Sequence, residues 1–514
     1  MSTKLIIACD LGTGGNKASL YDEEGVCRES VFVPYQTLYP QAGWHEQRPM
    51  DWWQAVVEST RKLLAKRRGE AGSVESIAFS GHSLGVVPLD ANGGLLREST
   101  PIWSDTRAEK QAARFFERVD RESWYMTTGN GFPPPCYSIF KIMWYREHEP
   151  EMFKKIRRFM GTKDFINYKL TGKQLTDYSY ASGSGVYDLK NWGYSGELIA
   201  ASGIPGEFFP PIVPSTHVVG GLTRDAADAL GLETGVKVVC GGVDNSCMAL
   251  GARNIAEGRV YTSLGSSSWI AVSSRKPILD FAASPFVFTH VMPEMFTSAV
   301  SIFAAGSSLE WVKENLCGAL VSEAKSRETD VYEFISAHAA RAPAGARKLL
   351  FNPSLAGGSS QDSTPHIRGA FAGIDLGHNL SDVLRSCMEG IAMNLGLVLD
   401  ILRGFCTLSN QMLMVGGGSK SGFWRRIFAD VYNMDILKTN VDQDAGSLGA
   451  AALAAVGSGL WSGFSRIDDI HEIQDVTSPD PEGVRVYERL KPAYEHMRAS
   501  QAALGDILHA IELR

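Results

Sequence analysis

The sequence predicts an α/β protein built of two large domains, and three observations lead there. Apolar runs of strand length (Ile77 to Phe79, Lys237 to Cys240, Val260 to Thr262, Leu413 to Val415) alternate with amphipathic stretches of helix length. The chain, at 514 residues, exceeds the ~250–300 at which a single hydrophobic core stops growing. A strand, glycine turn and strand at its start recur about half a chain later.

The first of these segments, Asp10 to Asp22, reads DLGTGGNKASLYD and follows the buried-strand pattern Leu5 to Ala8. It predicts a hairpin with a bare tip. Such a tip is either a plain tight turn, since glycine reaches positive φ without steric cost, or a place where backbone N–H groups and a hydroxyl close on a phosphate. The second segment, Val260 to Val272 (VYTSLGSSSWIAV), sets Leu264-Gly265-Ser266 against Leu11-Gly12-Thr13. Two halves of this kind would point both tips into one cleft and grip a polyphosphate. A third cluster, Met414 to Gly422 (MVGGGSKSG), runs from a strand into a helix near Phe423. It reads either as an ordinary strand-to-helix turn or as a seat for a flat ligand near helix N-terminal amides. No G-x-x-x-x-G-K-[ST] occurs, so the grip is not a P-loop.

Helices are predicted over Pro49 to Arg67, Ala108 to Glu117, Ser308 to Leu316, Leu380 to Leu402, Gly422 to Tyr432 and Glu488 to Ile511. Loops are marked by Pro133 to Pro135, Ala340 to Ala346 and Ser478 to Glu482. From Ala445 to Ser465 no charged residue occurs, but Ala, Gly and Ser dominate where a lipid-facing helix would carry Leu, Ile and Phe. This reads as a small-residue helix packed inside the protein, with no membrane partner.

Composition narrows the function classes. Fifty basic against 57 acidic residues give a formal charge of −7, and the densest basic group, Arg61 to Arg68 (RKLLAKRR), alternates with leucines as an exposed helix side would. Nucleic acid is set aside. The eight cysteines show neither a CxxC pair nor Cys/His ligand spacing, which predicts small buried thiols in a reducing compartment. The opening apolar run stops at Asp10, too short for a signal peptide, and a cytoplasmic location is expected.

In CGGVDNS, Asp244 follows a predicted strand, and the glycines beside it leave its side chain free to face a cleft. It reads either as a helix N-cap or as a carboxylate that takes a proton.

Taken in order, these residues resemble the FGGY carbohydrate kinase family. The match is carried by D-x-G-T with Lys17, by Tyr137 to Pro150 (YSIFKIMWYREHEP) through Ser138, Lys141, Trp144 and His148, and by Gly369 to Gly390 through Gly369, Phe371, Gly373, Asp382, Ser386 and Glu389. Gly43-Trp44 with Glu46-Gln47, Lys163 to Gly172 (KDFINYKLTG) and Ser447 to Ala451 (SLGAA) add smaller matches. Cys136 and Cys387 depart from the two signatures.

The resemblance implies two ribonuclease-H-like domains of the actin, hexokinase and Hsp70 superfamily with an active-site cleft between them. It places a sugar-binding, base-bearing domain at 1–251 and an ATP-binding domain at 252–514. It implies phosphorylation of a small sugar, most simply a ketopentose of the xylulose or ribulose type, with ATP and Mg²⁺. Asp244 becomes the general base and Asn245 a holder of a substrate hydroxyl. Asp10 becomes the Mg²⁺ partner; Thr13, Gly14, Gly15 and Lys17 contact the phosphates, as do Gly265 and Ser266; Gly306, Gly417 and Gly418 lie near the nucleotide. His82, Ser83, Trp103 and Asp105 form the sugar pocket. In SGHSLG, His82, Ser83 and Leu84 match neither the Gln-Met-His of xylulokinases nor the Arg-Glu of glycerol kinases, so other polyols or sugar acids (erythritol-, glycerol- or gluconate-like) stand as alternatives, with glycerol itself disfavoured. A non-catalytic nucleotide switch on the same fold is the remote alternative, and a homodimer is a family-level expectation.

Overall fold

The computed structural model describes residues 3–359 and 361–512. Two compact units emerge, one from residues up to Ile255 with 273–298 and 444–470, the other from 256–272, 299–443 and 471 onward. The halves expected as 1–251 and 252–514 are therefore interleaved, because the chain returns twice to the first unit after leaving it. Those returns follow the packing: the helix Ala445–Ser458 lies against the first unit's strands Leu5–Leu11 and Val74–Gly81.

The first unit is built on a sheet in the order Val218–Gly221, Lys237–Val239, Val74–Gly81, Leu5–Leu11, Gly15–Asp22, Cys27–Pro34. Its central strands pair in parallel and the hairpin strands antiparallel. A second sheet repeats this order over Ile473–Thr477, Asp435–Thr439, Gln411–Val415, Val260–Leu264, Ser268–Ser274 and Phe296–Ile302, and adds Phe286–Thr289 at its edge. There too the strand that opens the hairpin pairs antiparallel with its successor and parallel with the strand on its other side. The repeat seen in the sequence is thus a repeat of topology.

Buried β-branched and leucine runs make the central strands, with Ile6, Ile7, Ala8 and Cys9 wholly inaccessible. The expected helices form at Pro49–Lys66, Glu109–Phe116, Gly306–Leu316, Leu380–Phe405 and Gly422–Tyr432. The last helix starts earlier than expected, at Pro481 instead of Glu488, and so takes in the end of the expected loop. Proline suits a first helical turn, and the Asp480 carboxylate caps it by accepting the Glu482 N–H. The basic run lies on the Pro49–Lys66 helix and beyond its end, with Arg61 spent on the Asp228 and Ala229 carbonyls and Lys66 on Glu29.

Ala445–Ser458 is the small-residue helix, buried from Ala445 to Ala455. Its glycines admit the close neighbour Asp244–Gly251: a Cβ at Gly449 would stand 1.9 Å from the Cys247 carbonyl oxygen. Among the described residues no helix is long and apolar enough to cross a membrane. Six of the cysteines are buried, Cys406 is half-buried and Cys27 is exposed, and all are free thiols.

Candidate active site

Strand register assembles the first group of candidates. Asp10 lies opposite Ser80 on one side and Lys17 on the other, and Ser80 lies opposite Gly242, two residues before Asp244. The carboxyl ends of parallel strands are where open α/β sheets bind ligands. The Ser80 hydroxyl donates to Asp10 at 2.7 Å, and Lys17 forms an ion pair with Asp444. Burial raises the Asp10 pKa, with Ser80 and Lys17 pulling against it and Asp444 adding to it.

Asp244 is the first residue of its helix, and Val243 occupies the cap position. Its side chain accepts a first-turn backbone N–H of the same helix, that of Asn245 at 2.8 Å, and the Asn245 side-chain amide at 3.1 Å. The carboxyl keeps some exposure, yet burial pushes its pKa up to about 7, with the nearby Asp10 adding to the rise and the Asn245 N–H opposing it. A chain of buried groups fixes the backbone before it. Lys163 lies between Asp164 and Asp177 at 2.6 and 2.9 Å, Asp177 accepts the Ser179 hydroxyl proton, and Ser179 Oγ accepts the Val243 N–H at 2.9 Å.

The hairpin tip spans Gly12 to Gly14. Thr13 and Gly14 are exposed, and a Cβ on Gly14 would meet no protein atom within 4 Å. Gly15 differs, since a Cβ there would press into the Phe32 ring at 2.5 Å. Packing therefore demands glycine at 15 but not at 14, where the protein leaves room against the backbone. That room suits a phosphate lying on the hairpin tip.

The proposed sugar residues divide. Trp103 is 38% exposed, and its indole N–H donates to Thr13 Oγ1 at 2.9 Å. His82 is buried: Nδ1 faces Thr162 Oγ1 at 3.2 Å, Nε2 has no hydrogen-bond partner among the described residues, and the ring meets Trp52 edge to face. Burial holds its pKa down near 4, so the ring is neutral at physiological pH. Ser83 is buried beside it, and Leu84 adopts a left-handed φ of 60°. The Leu84 carbonyl accepts from Lys141, a buried ammonium that also donates to the Ile102 carbonyl at 2.6 Å. Asp105 is fully buried, and its oxygens are taken up by Arg107 and by the His45 N–H. The structure makes it an anchor of the loop, not a group open to a sugar.

In the second unit the tip Gly265-Ser266 is exposed and docks on the start of the helix Gly306–Leu316. Gly306 N–H donates to the Gly265 carbonyl at 2.9 Å, while Ala305 and Ser307 N–H donate to the Ser266 carbonyl. Gly306 permits this approach, because a Cβ there would stand 2.4 Å from the Gly265 oxygen. Gly417 is open on its Cβ side, whereas a Cβ on Gly418 would strike the Leu264 side chain.

Sequence reasoning passes over Ser80, Ser179 and Tyr35, whose hydroxyl donates to the Gly12 carbonyl, and gives Asp444 and Gln47 no role. Of these, Gln47 carries a signal by standing in a matched family pair and Asp444 by standing just before the small-residue helix. Among the described residues no group of three or more His, Cys, Asp or Glu could by itself hold a metal ion. Asp10 fits a Mg²⁺ that keeps most of its shell as water and phosphate oxygen.

Comparison with known proteins identifies the family. The N-terminal domain model of the FGGY family of carbohydrate kinases matches residues 5–251, and its C-terminal domain model matches 260–458. A xylulose kinase of Bacillus subtilis (strain 168) is 31% identical over 98% of this chain and 99% of its own. The crystal structure of a xylulose kinase from Rhodospirillum rubrum superposes with a TM-score of 0.89 at 28% identity, covering 98% of this chain and all of the other. That of a gluconate kinase from Lactobacillus acidophilus gives the same TM-score at 27% identity, over 98% and 99% of the two chains.

Proposed function

Since the chain belongs to the FGGY family of carbohydrate kinases and is a sugar kinase, we propose that it moves the γ-phosphoryl group of ATP onto a hydroxyl of a ketopentose of the xylulose or ribulose type. The observation that carries the chemistry is Asp244, a carboxyl at the carboxyl edge of the first sheet whose proton leaves near pH 7. Phosphoryl transfer asks a protein mainly for positioning and charge neutralisation, and for one group to accept the alcohol proton. Asp244 takes that proton, because a base of pKa near ambient pH is ionised yet still basic. Asn245 steadies a neighbouring substrate hydroxyl.

Thr13, Gly14, Gly15 and Lys17 hold phosphate oxygens, Gly265 and Ser266 are further phosphate contacts, and Gly306, Gly417 and Gly418 line the nucleotide. Asp10 would hold Mg²⁺, which would supply charge neutralisation on the phosphates. Lys17 must exchange Asp444 for phosphate to do its part. Trp103 gives the sugar an apolar wall, while His82 and Ser83 shape the pocket from behind. A base for an alcohol proton has no use in a non-catalytic switch, which is set aside.

The relatives named xylulose kinase favour the ketopentose. A polyol or sugar acid is the second reading, favoured by Leu84 standing where xylulokinases carry histidine and by the gluconate kinase of equal structural likeness. A coupled ADP-release assay across ketopentoses, polyols and sugar acids decides between them. Xylulose or ribulose is expected to give the highest kcat/KM, and turnover confined to gluconate or a polyol would replace the ketopentose reading with the second.

A further inference from the structure

The tip of the first hairpin is held by the same short ribbon that carries the sugar-pocket wall. Glu46–Gln47 pairs antiparallel with Thr100–Pro101, Gln47 opposite Thr100, and Trp103 follows two residues after the ribbon ends. Gln47 is wholly buried, and its amide donates to the Thr13 carbonyl at 2.7 Å and to Thr37 Oγ1 at 2.8 Å. Its Oε1 accepts the indole N–H of Trp52 at 2.8 Å, and the Trp52 ring meets His82 edge to face at 5.4 Å. From the other side Trp103 holds Thr13 by its hydroxyl. Both oxygens of Thr13 are therefore tied to groups that line or back the sugar pocket.

The ribbon itself does not give way. Glu46 is buried and pairs with Arg97 and Arg107, and Arg107 also grips Asp105 while lying over the Trp44 and Trp144 rings. A movement of the His82 and Trp52 rings passes through the buried Gln47 amide to Thr13 with little slack, since buried hydrogen-bond networks and close packing transmit displacement, and Trp103 reaches Thr13 directly through an exposed hydrogen bond.

We propose that this ribbon couples the two substrates: sugar seated against Trp103 and the His82 loop fixes Thr13 where it holds phosphate, and Gln47 is the positioning residue through which the coupling runs. The proposal rests on the reading that sugar lies against Trp103 and that Thr13 meets phosphate. Its consequence is that nucleotide is held productively only when sugar is present, which suppresses ATP hydrolysis by water.

The test uses the full chain and the best sugar from the ADP-release panel. Affinity for a non-hydrolysable ATP analogue is measured by calorimetry with and without saturating sugar, alongside the ratio of sugar phosphorylation to sugar-independent ATP hydrolysis. In the wild-type protein the sugar is expected to tighten the analogue about 5- to 150-fold, the usual range for coupled sites. Gln47→Glu keeps the acceptor for Trp52 but cannot donate to the Thr13 carbonyl; Trp103→Phe keeps an aromatic wall without the N–H and sits at the surface, where folding is not at stake. Both are expected to bring the tightening below about threefold and to raise the share of ATP lost to water, shifting sugar affinity less than the coupling. A fall in melting temperature with the wild-type tightening intact would make Gln47 merely structural and overturn the proposal. So would a wild-type protein that phosphorylates the sugar without any tightening. If no sugar is phosphorylated at all, the reading beneath the proposal fails, and the proposal fails with it.

Discussion

The two hairpins share a sequence design and a place in their sheets, yet they are held by different means. In the first, the tip carbonyls of Gly12 and Thr13 accept from side chains, the Tyr35 hydroxyl and the Gln47 amide. In the second, the carbonyls of Gly265 and Ser266 accept from the backbone N–H groups of residues 305 to 307, the otherwise unpaired donors of a helix start. Near the first tip Asp10 stands opposite Lys17, Lys17 pairs with Asp444, and the Asp10 charge adds to the raised pKa of Asp244. The second has no charged residue between Val260 and Ser274. Two sheets of the same strand order carry the hairpins; ionisable groups and side-chain contacts gather at one, and the other is held mainly by backbone donors.

If that contrast is right, the largest effect lies in the first unit. Asp244→Asn is expected to lower kcat about 10²- to 10⁴-fold, the usual worth of a positioned base. In the wild-type protein kcat/KM should fall about tenfold per pH unit below about 7, where the carboxyl takes up its proton. Stability moves the other way. A folded pKa above the unfolded one means that the native state binds the extra proton between about pH 4 and 7, so stability declines as pH rises through that window. The Asn variant escapes the decline and should melt higher than wild type above pH 7. A variant of full activity would remove Asp244 from the proton path, and one less stable than wild type at pH 8 would overturn the raised pKa.

Gly306→Ala tests the backbone cradle. The added Cβ meets a carbonyl oxygen, which cannot rotate away as a side chain would, so the helix start and the tip must separate. Overpacking of this kind costs about 1–3 kcal/mol. The expected outcome is a lower melting temperature together with weaker nucleotide binding, and sugar affinity unmoved. Loss of sugar affinity instead would mean that the second hairpin is wired to the sugar as the first is.

The architecture was legible because it rests on local pattern. Leu5 to Ala8 is apolar without a break, as a strand buried on both faces must be, and Leu380 to Leu402 is one amphipathic stretch that forms the helix Leu380–Phe405. The glycine tips were visible for the same reason. What holds them was not, since Gln47 and Trp103 stand 34 and 90 residues from Thr13, and Lys17 finds Asp444 across 427. Such pairings depend on where the chain returns, and the return of 444–470 to the first unit leaves no local mark. Asp105 shows the same limit at short range: in Asp-Thr-Arg a carboxylate can be free for a ligand or claimed by the arginine two residues on, and the burial of Arg107 decides for the second.

The smallest effect is expected at Ser266. Its side chain is exposed at the tip, and what the cradle uses of this residue is its carbonyl, which accepts from Ala305, Ser307 N–H and the Ser307 hydroxyl. Removing one hydroxyl from a phosphate contact forfeits about 0.5–1.5 kcal/mol. Ser266→Ala should therefore raise KM for ATP about two- to tenfold and move kcat less than KM. Thr13→Val, at the matching place in the first hairpin, also severs the link to Trp103 and should cost more, with kcat falling as well as affinity. Steady-state kinetics on the two variants side by side measure the difference between a tip held by its backbone and a tip held by side chains. Equal losses would show that the hairpins act alike, and that the hydrogen bonds of Thr13 do nothing for the phosphates that Ser266 does not do equally.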